Sequence, residues 1–113
     1  LMDIDKINFK NNYFDSVLID NVIEHIENPK KLLKEIFRVL NVNGVVVASV
    51  PGEKGFHWDK DHKTYYNKMQ LTKTFEENGF TKIKTFNTPF KSSWLDKNIR
   101  QYCLHGVFAK RVE

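Results

Sequence analysis

Two short stretches of this sequence concentrate residues that can do chemistry. In the first, FDSVLIDNVIEHI at residues 14–26, an apolar run ends in Asp20 and Asn21 and continues to Glu24 and His25. Carboxylate and amide groups bind polar ligands, and an imidazole can take up a proton near neutral pH. A strand that ends in such residues is typical of the ligand-binding edge of an open α/β sheet, although a solvated loop would show the same residue types.

The second stretch is the polar and aromatic segment GEKGFHWDKDHKTYY, residues 52–66. A loop of this length in a small domain is often functional. His62 is the candidate general base, because imidazole can accept the proton of a hydroxyl group. Trp58 and Tyr65 are candidates for an aromatic wall over an acceptor molecule. The acids and histidines of this segment match no familiar metal-site spacing, so we predict no metal here.

The first half of the chain predicts a strand, a helix and a second strand. The apolar run at 14–19 predicts a short buried strand. Asn28 and Pro29 are typical of a helix start. Gly44 predicts the turn that ends this helix, and the β-branched run at 45–51 predicts a central parallel strand. The helix residues expected to face inward are Leu32, Leu33, Ile36, Phe37 and Leu40.

The second half predicts one more helix and two more strands. The helix is expected from about Asn67 to Asn78, followed by Gly79 in the left-handed conformation. The segment at 81–87 carries charge and predicts a strand near a sheet edge, and 102–110 predicts the last strand. Between these two strands we expect a connector in which Trp94 is a packing anchor. The elements together indicate a single α/β domain that spans the whole chain.

Composition limits the classes of function. The chain has 113 residues, of which 41% are hydrophobic and 13% aromatic, so it can form one domain with a packed core. The net charge of +4 comes from lysines spread along predicted helix faces and turns, and we expect no nucleic-acid partner. No apolar run approaches the length of a membrane span, and we expect no membrane partner.

The single cysteine, Cys103, excludes an internal disulfide and fits a reducing, cytoplasmic compartment. A cysteine in a predicted strand is more often a small buried hydrophobe than a reactive thiol. We therefore predict a packing role for Cys103.

The ordered set of motifs resembles a known family. Residues 3–51, DIDKINFKNNYFDSVLIDNVIEHIENPKKLLKEIFRVLNVNGVVVASVP, look like the second half of a class I, S-adenosylmethionine-dependent methyltransferase of the small-molecule type 11 group. The shared features are an acidic residue before a Phe-Asp strand, a Glu-His segment, a helix ending in Arg-Val-Leu, a glycine turn and a strand ending in Val-Pro. The later stretch DHKTYYNKMQLTKTFEENGF is also similar to that family.

The resemblance implies a partial Rossmann-like methyltransferase fold. It corresponds to the carboxyl-terminal half of a seven-stranded sheet that ends in an antiparallel strand. The implied order of the four strands is first, second, fourth, third, with helices on the faces of the sheet.

The resemblance also assigns roles to particular residues. Asp3 matches the acid that binds the adenine amino group of S-adenosylmethionine, and Ile4 would flank the adenine ring. Asp20 and Asn21 match positions that line the methionine part of this cofactor. His25, Trp58 and Tyr65 would line the acceptor pocket, and His62 would be the catalytic base. Some relatives hold a divalent metal near the position of His25, but Asn21 replaces one acidic ligand, so no metal is expected.

The family's glycine-rich cofactor turn would precede Leu1, and the glycines of this chain form no G-x-G pattern. We therefore expect either a part of a longer or truncated enzyme, or a half-domain that forms a homodimer through the unpaired edge of its first strand. Two functions follow. One is S-adenosylmethionine-dependent methyl transfer to a small-molecule acceptor. The alternative is a non-catalytic methyltransferase-like binding or scaffold module that lacks the cofactor site.

Overall fold

A computed structural model describes residues 7, 9–52, 56–57, 64–88, 93–98 and 103–111. The strands are β1 Phe14–Asp20, β2 Leu40–Pro51, β3 Phe80–Thr88 and β4 Cys103–Lys110. The helices that carry the argument are α1 Lys30–Val39, α2 Lys68–Glu76 and α3 Ser93–Asn98. A 3-10 turn at Ile23–His25 follows β1.

The strands form one sheet in the order β1-β2-β4-β3, as predicted. β1 and β2 are parallel and are joined through α1, whereas β4 runs antiparallel to both of its neighbours. The mixed α/β class and the antiparallel last strand are therefore confirmed. Because β1, β2 and β3 run in the same direction, their carboxyl ends and the amino end of β4 meet at one edge of the sheet. We call it the carboxyl edge.

Helix α1 begins close to the predicted position. The Asn28 side-chain oxygen accepts the backbone N–H of Lys30 at 3.2 Å, and the Pro29 carbonyl accepts that of Leu33 at 2.9 Å. The first contact satisfies an N–H group that the first turn of a helix leaves unpaired, and the second is the first regular hydrogen bond of the helix. The buried face consists of Leu32, Leu33, Ile36 and Val39.

Arg38 holds the segment before β1 against α1. Its guanidinium group donates to the carbonyl oxygens of Ile7 and Phe9, both at 2.8 Å, and to the side chain of Asn11 at 2.9 Å. Its Nε also donates to the Glu35 carboxylate at 2.8 Å. A planar guanidinium with five donors is suited to such a multiple contact. The arginine of the Arg-Val-Leu motif thus positions the chain that leads into β1.

The turn predicted around Gly44 lies inside a strand. Helix α1 ends at Val39, and β2 begins at once at Leu40 rather than after the glycine. The pairing of β1 with β2 shifts register across residues 41–44, which form a bulge. Asn43 has a positive φ of 68°, and a Cβ at Gly44 would come 2.8 Å from a backbone oxygen. The turn-forming residues therefore shape a bulge, and the sequence-based boundary was wrong.

The prediction that the first strand is buried is also wrong. β1 forms the edge of the sheet, Leu18 is 67% exposed, and Ile19 is its one fully buried residue. Alternate residues of a strand point to opposite faces, so a strand that is covered on one face alone buries only every second side chain. The sequence suggested a strand covered on both faces, because Val17, Leu18 and Ile19 are three consecutive apolar residues.

Helices α1 and α2 cover one face of the sheet and form the core with it. Phe75 of α2 stacks on Phe108 of β4, with ring centroids 4.2 Å apart, and meets Phe80 edge-to-face at 5.5 Å. Asn67 and Gln70 form a capping box at the start of α2, and Gly79 has the predicted left-handed conformation with a φ of 95°. The hydrophobic core contains buried residues of α1, of α2 and of all four strands.

The connector between β3 and β4 contains a helix, α3, that the sequence did not predict. Trp94 on this helix is 63% exposed, so the prediction that it is a packing anchor is wrong. The helix is only six residues long, and short helices are weakly encoded by periodicity.

Candidate functional site

Four residues lie side by side across the carboxyl edge, one on each strand. Asp20 of β1 pairs with Ser49 of β2, Ser49 with His105 of β4, and His105 with Phe86 of β3. Residues directly opposite each other on paired strands project from the same face of the sheet. Their face is opposite to the one that α1 and α2 cover. The register of the sheet thus collects a carboxylate, a hydroxyl, an imidazole and an aromatic ring in one row.

His105 is the centre of a hydrogen-bonded group in this row. Its Nδ1 lies 2.6 Å from Ser49 Oγ, and its Nε2 lies 2.9 Å from Thr88 Oγ1. The Phe86 ring stacks on the imidazole with centroids 4.9 Å apart. Burial lowers the pKa of His105, and the charge of Asp20 acts against this shift. The contacts therefore hold a neutral imidazole between two hydroxyl groups.

The sequence did not identify Ser49, Thr88 or His105 as candidate site residues. Ser49 interrupts an otherwise apolar strand and is only 3% exposed, and His105 lies within the last strand. A polar residue inside an apolar strand is a signal, because a buried hydroxyl needs a hydrogen-bond partner. The identity of that partner could not be inferred, because Ser49 and His105 are 56 residues apart.

Asp20 and Asn21 occupy the end of β1, as predicted. Asn21 has a positive φ of 54°, and its N–H donates to the carbonyl oxygen of Ser49 at 2.9 Å. Asparagine tolerates the left-handed region better than most residues, and here it turns the chain out of the sheet. Both side chains are exposed, so an amide and a carboxylate are presented at the carboxyl edge.

Glu24 is fully buried and His25 is half-buried in the turn that follows. The His25 Nε2 lies 3.8 Å from a carboxylate oxygen of Glu24. The Glu24 carbonyl accepts the N–H of Thr64 at 3.1 Å, which joins this turn to the chain before α2. Burial raises the pKa of Tyr66, and the charge of Glu24 raises it further. The backbone carbonyl of Glu24 thus braces the segment.

The thiol of Cys103 lies near the carboxylates of Asp20 and Glu24. Burial raises its pKa first, and the charges of Asp20 and Glu24 add to the effect. A raised pKa reduces the thiolate fraction and with it the nucleophilicity of the sulfur. The half-buried position and this environment agree with the predicted packing role.

Tyr65 faces a cleft of about 510 Å³ between the start of α1 and helix α2. The ring of Tyr65 meets that of Phe56 edge-to-face at 5.5 Å. The lining includes residues 27–30 but not Asp20, Asn21 or His25. The volume is typical of a small-molecule site, but the cleft is separate from the row at the carboxyl edge.

Four predicted site residues lie outside the described part of the chain: Asp3, Ile4, Trp58 and His62. Within the described part, no three His, Cys, Asp or Glu side chains come together in a group that could hold a metal ion. No helix among those same residues is long and apolar enough to cross a membrane.

Residues 1–48 match a family described as "Methyltransferase domain". An uncharacterised protein of Methanocaldococcus jannaschii is 32% identical over 94 residues, which are 74% of this chain and 46% of that protein. The chain therefore spans about half the length of the curated relative that it matches.

Solved structures share the fold at low sequence identity. The Burkholderia thailandensis 1,6-didemethyltoxoflavin-N1-methyltransferase, solved with its substrate and S-adenosylhomocysteine, has a TM-score of 0.73 at 15% identity. The match covers 96% of this chain and 48% of that enzyme. The [4+2]-cyclase SpnF has a TM-score of 0.74 at 14% identity, over 99% of this chain and 55% of that protein. At such identities the likeness concerns the fold. Residues 1–48 thus resemble a methyltransferase domain, and the described fold is shared with part of a solved methyltransferase structure.

Proposed function

We propose that the protein containing this chain transfers a methyl group from S-adenosylmethionine to a small-molecule acceptor, and that the chain supplies the carboxyl-terminal part of the catalytic domain. One observation carries the proposal. The family match over residues 1–48 includes Asp20 and Asn21, and these residues end β1 at the carboxyl edge. In open α/β sheets this is the edge where ligands bind.

The residues at this edge are chemically suited to one end of the cofactor. S-adenosylmethionine carries a positive sulfonium and an amino group, and an exposed carboxylate such as that of Asp20 attracts both. Asn21 offers an amide that can donate and accept hydrogen bonds. Asp3 and Ile4 are proposed to hold the adenine end.

The acceptor would lie beside this site, against His25, Trp58 and Tyr65. The reaction is a displacement at carbon, which depends mainly on positioning and on the exclusion of water. A base is required only when the acceptor loses a proton, and His62 is proposed for that role. Of these three residues, Tyr65 lines the cleft described above, which is separate from the row at the carboxyl edge.

We further propose a cytoplasmic location, supported by the single cysteine. For the alternative case, in which the chain is a half-domain, we propose that two copies associate through β1. The outer edge of β1 has no neighbouring strand in the described sheet, and Leu18 is exposed there. An unpaired strand edge of this kind favours pairing with another chain.

Calorimetric titration with S-adenosylmethionine and S-adenosylhomocysteine tests the proposal. The intact protein and the 113-residue chain are titrated side by side. We expect the intact protein to bind both compounds, and Asp20→Asn to weaken binding. Asp15→Asn is the matched control, because it removes an exposed carboxylate from the opposite end of the same strand.

Each result has a distinct meaning. Failure of the folded, intact protein to bind either compound would overturn the proposal and favour the non-catalytic scaffold module. Equal weakening by both aspartate variants would remove Asp20 from the cofactor site. Because a cyclase shares this fold, binding alone does not establish methyl transfer. The second readout is therefore the appearance of S-adenosylhomocysteine and of a methylated product by mass spectrometry.

A further inference from the structure

The hydrogen bonds of His105 connect a buried group with an exposed one. Ser49, on one side of the imidazole, is almost fully buried, whereas Thr88, on the other side, is exposed. Both contacts have the length of good hydrogen bonds, 2.6 Å and 2.9 Å. The buried end, Ser49, is the strand neighbour of Asp20, and its backbone carbonyl accepts the N–H of Asn21. The connected groups thus lead from the proposed cofactor site to solvent.

We propose that Ser49, His105 and Thr88 form a proton relay that removes the proton released when a hydroxyl or amine acceptor is methylated. This inference rests on the proposed function and gives the proton a route in which Ser49, in place of His62, is the first group to take it. Below, these three residues are called the relay.

The proton balance of the step is simple. The acceptor oxygen or nitrogen forms a bond to the methyl carbon, and the carbon–sulfur bond breaks with its electron pair left on sulfur. The proton of the acceptor passes to Ser49 Oγ, whose own proton moves to His105 Nδ1. The proton on Nε2 moves to Thr88 Oγ1, and a threonine proton leaves to water. The relay requires the tautomer in which Nδ1 accepts from Ser49 and Nε2–H donates to Thr88.

The surroundings of His105 suit a group that passes protons on and does not hold them. Burial favours the neutral imidazole, and stacking with Phe86 fixes the ring plane. Among the described strand residues, the charged or titratable groups on the same face are Asp20 on β1, Cys103 on β4 and Lys84 on β3. The Lys84 ammonium lies 5.4 Å from the Phe86 ring, on the strand beyond His105. Asp20 can stabilise the transient imidazolium, because its charge raises the pKa of the ring.

A direct test uses nitrogen NMR of the imidazole in the 113-residue chain, which needs no cofactor and no activity. We expect the neutral Nε2–H tautomer at neutral pH, and loss of the Nε2 hydrogen bond in Thr88→Val but not in Thr88→Ser. The opposite tautomer, or an imidazolium at neutral pH, would overturn the proposal. Thr88 is exposed, so neither substitution threatens the fold.

The functional test measures methyl transfer by the intact protein with an acceptor that loses a proton. We expect His105→Gln and Thr88→Val to lower kcat by about 100-fold or more and to change its pH profile, because general acid–base groups contribute effects of this order. Thr88→Ser should restore the rate, and affinity for S-adenosylhomocysteine should stay within about twofold in every variant.

The two proposals fail in different ways. If the intact protein methylates its acceptor and His105→Gln keeps the normal kcat and pH profile, the relay is wrong and the methyltransferase function stands. If His105→Gln loses cofactor affinity in proportion to rate, His105 has only a structural role, and the relay is again wrong. If no methyl transfer and no cofactor binding are found, both proposals fall.

Discussion

Ser49 Oγ lies 2.6 Å from His105 Nδ1, and this contact joins the two central strands at the carboxyl edge of the sheet. It satisfies a hydroxyl group that is almost completely removed from water. An unsatisfied buried hydroxyl would destabilise the fold by about 1–3 kcal/mol, so this pair has a structural value whatever its chemical role. The same contact places a titratable ring at the carboxyl edge, with β2 between it and the end of β1.

The His105 pair makes stability depend on pH. Burial holds the pKa of His105 below its ordinary value of 6.5, so the unfolded chain binds more protons as the pH falls through about 6.5. The stabilisation from the neutral ring is complete above about pH 6.5, the pKa of the imidazole in the unfolded chain. It is lost as the pH falls towards the lower pKa that the imidazole has in the folded chain. We expect the urea midpoint to decrease from about pH 7 to about pH 5, and to decrease less in His105→Gln. Equal pH slopes in the two proteins would contradict the lowered pKa.

Cys103 should react slowly with alkylating reagents in the folded chain. Its raised pKa leaves little thiolate, and its half-buried position restricts access. Because this is the only cysteine, mass spectrometry after iodoacetamide treatment reports on it alone. Asp20→Asn should speed the reaction by removing a negative charge, whereas the control Asp15→Asn should not. If the reaction were as fast in the folded chain as in urea, the fold would neither restrict access of the reagent to the thiol nor raise the pKa of the thiol.

Gly106→Ala should destabilise the core. A Cβ at this position would lie 2.5 Å from Phe108 Cε2, and that ring cannot yield freely because it is stacked on Phe75. We expect a loss of about 1–3 kcal/mol in the free energy of unfolding, measured by urea titration. The control is the same substitution in a Phe108→Leu background, where the smaller side chain should reduce the cost. An equal cost in both backgrounds would place the strain elsewhere.

Leu18→Lys should weaken self-association if two copies pair through β1. Leu18 is exposed on the edge strand, and an edge lysine disfavours strand pairing. Ile83→Lys is the matched control, because Ile83 is 54% exposed on β3, at the opposite edge. Sedimentation over a range of concentrations measures the effect. A monomer at every concentration, or equal responses from both variants, would rule out this mode of pairing.

The predicted elements that the structure confirms are those encoded by local signals. Asn28 and Pro29 mark the start of α1, and Gly79 takes the left-handed conformation in the turn between α2 and β3. These signals work because helix ends are satisfied by residues close in sequence. The bulge at 41–44 was missed because Asn43 and Gly44 suit a free turn and a bulge equally well. Only the pairing with β1 distinguishes the two.

The sequence by itself determined the order of the four strands and of helices α1 and α2, and the placing of Asp20 and Asn21 at the carboxyl end of the first strand. Periodicity, caps and turn residues act over a few positions, and the family motifs are read in order along the chain. Tertiary structure alone decided that Ser49 meets His105 across 56 residues, that Thr88 completes the contact, and that Leu18 is exposed. These features depend on which strands become neighbours and on their register. The hydrophobic pattern fixes which face of each strand is buried, but paired strands that are distant in sequence leave the residue opposite Ser49 unidentified until the strands are neighbours.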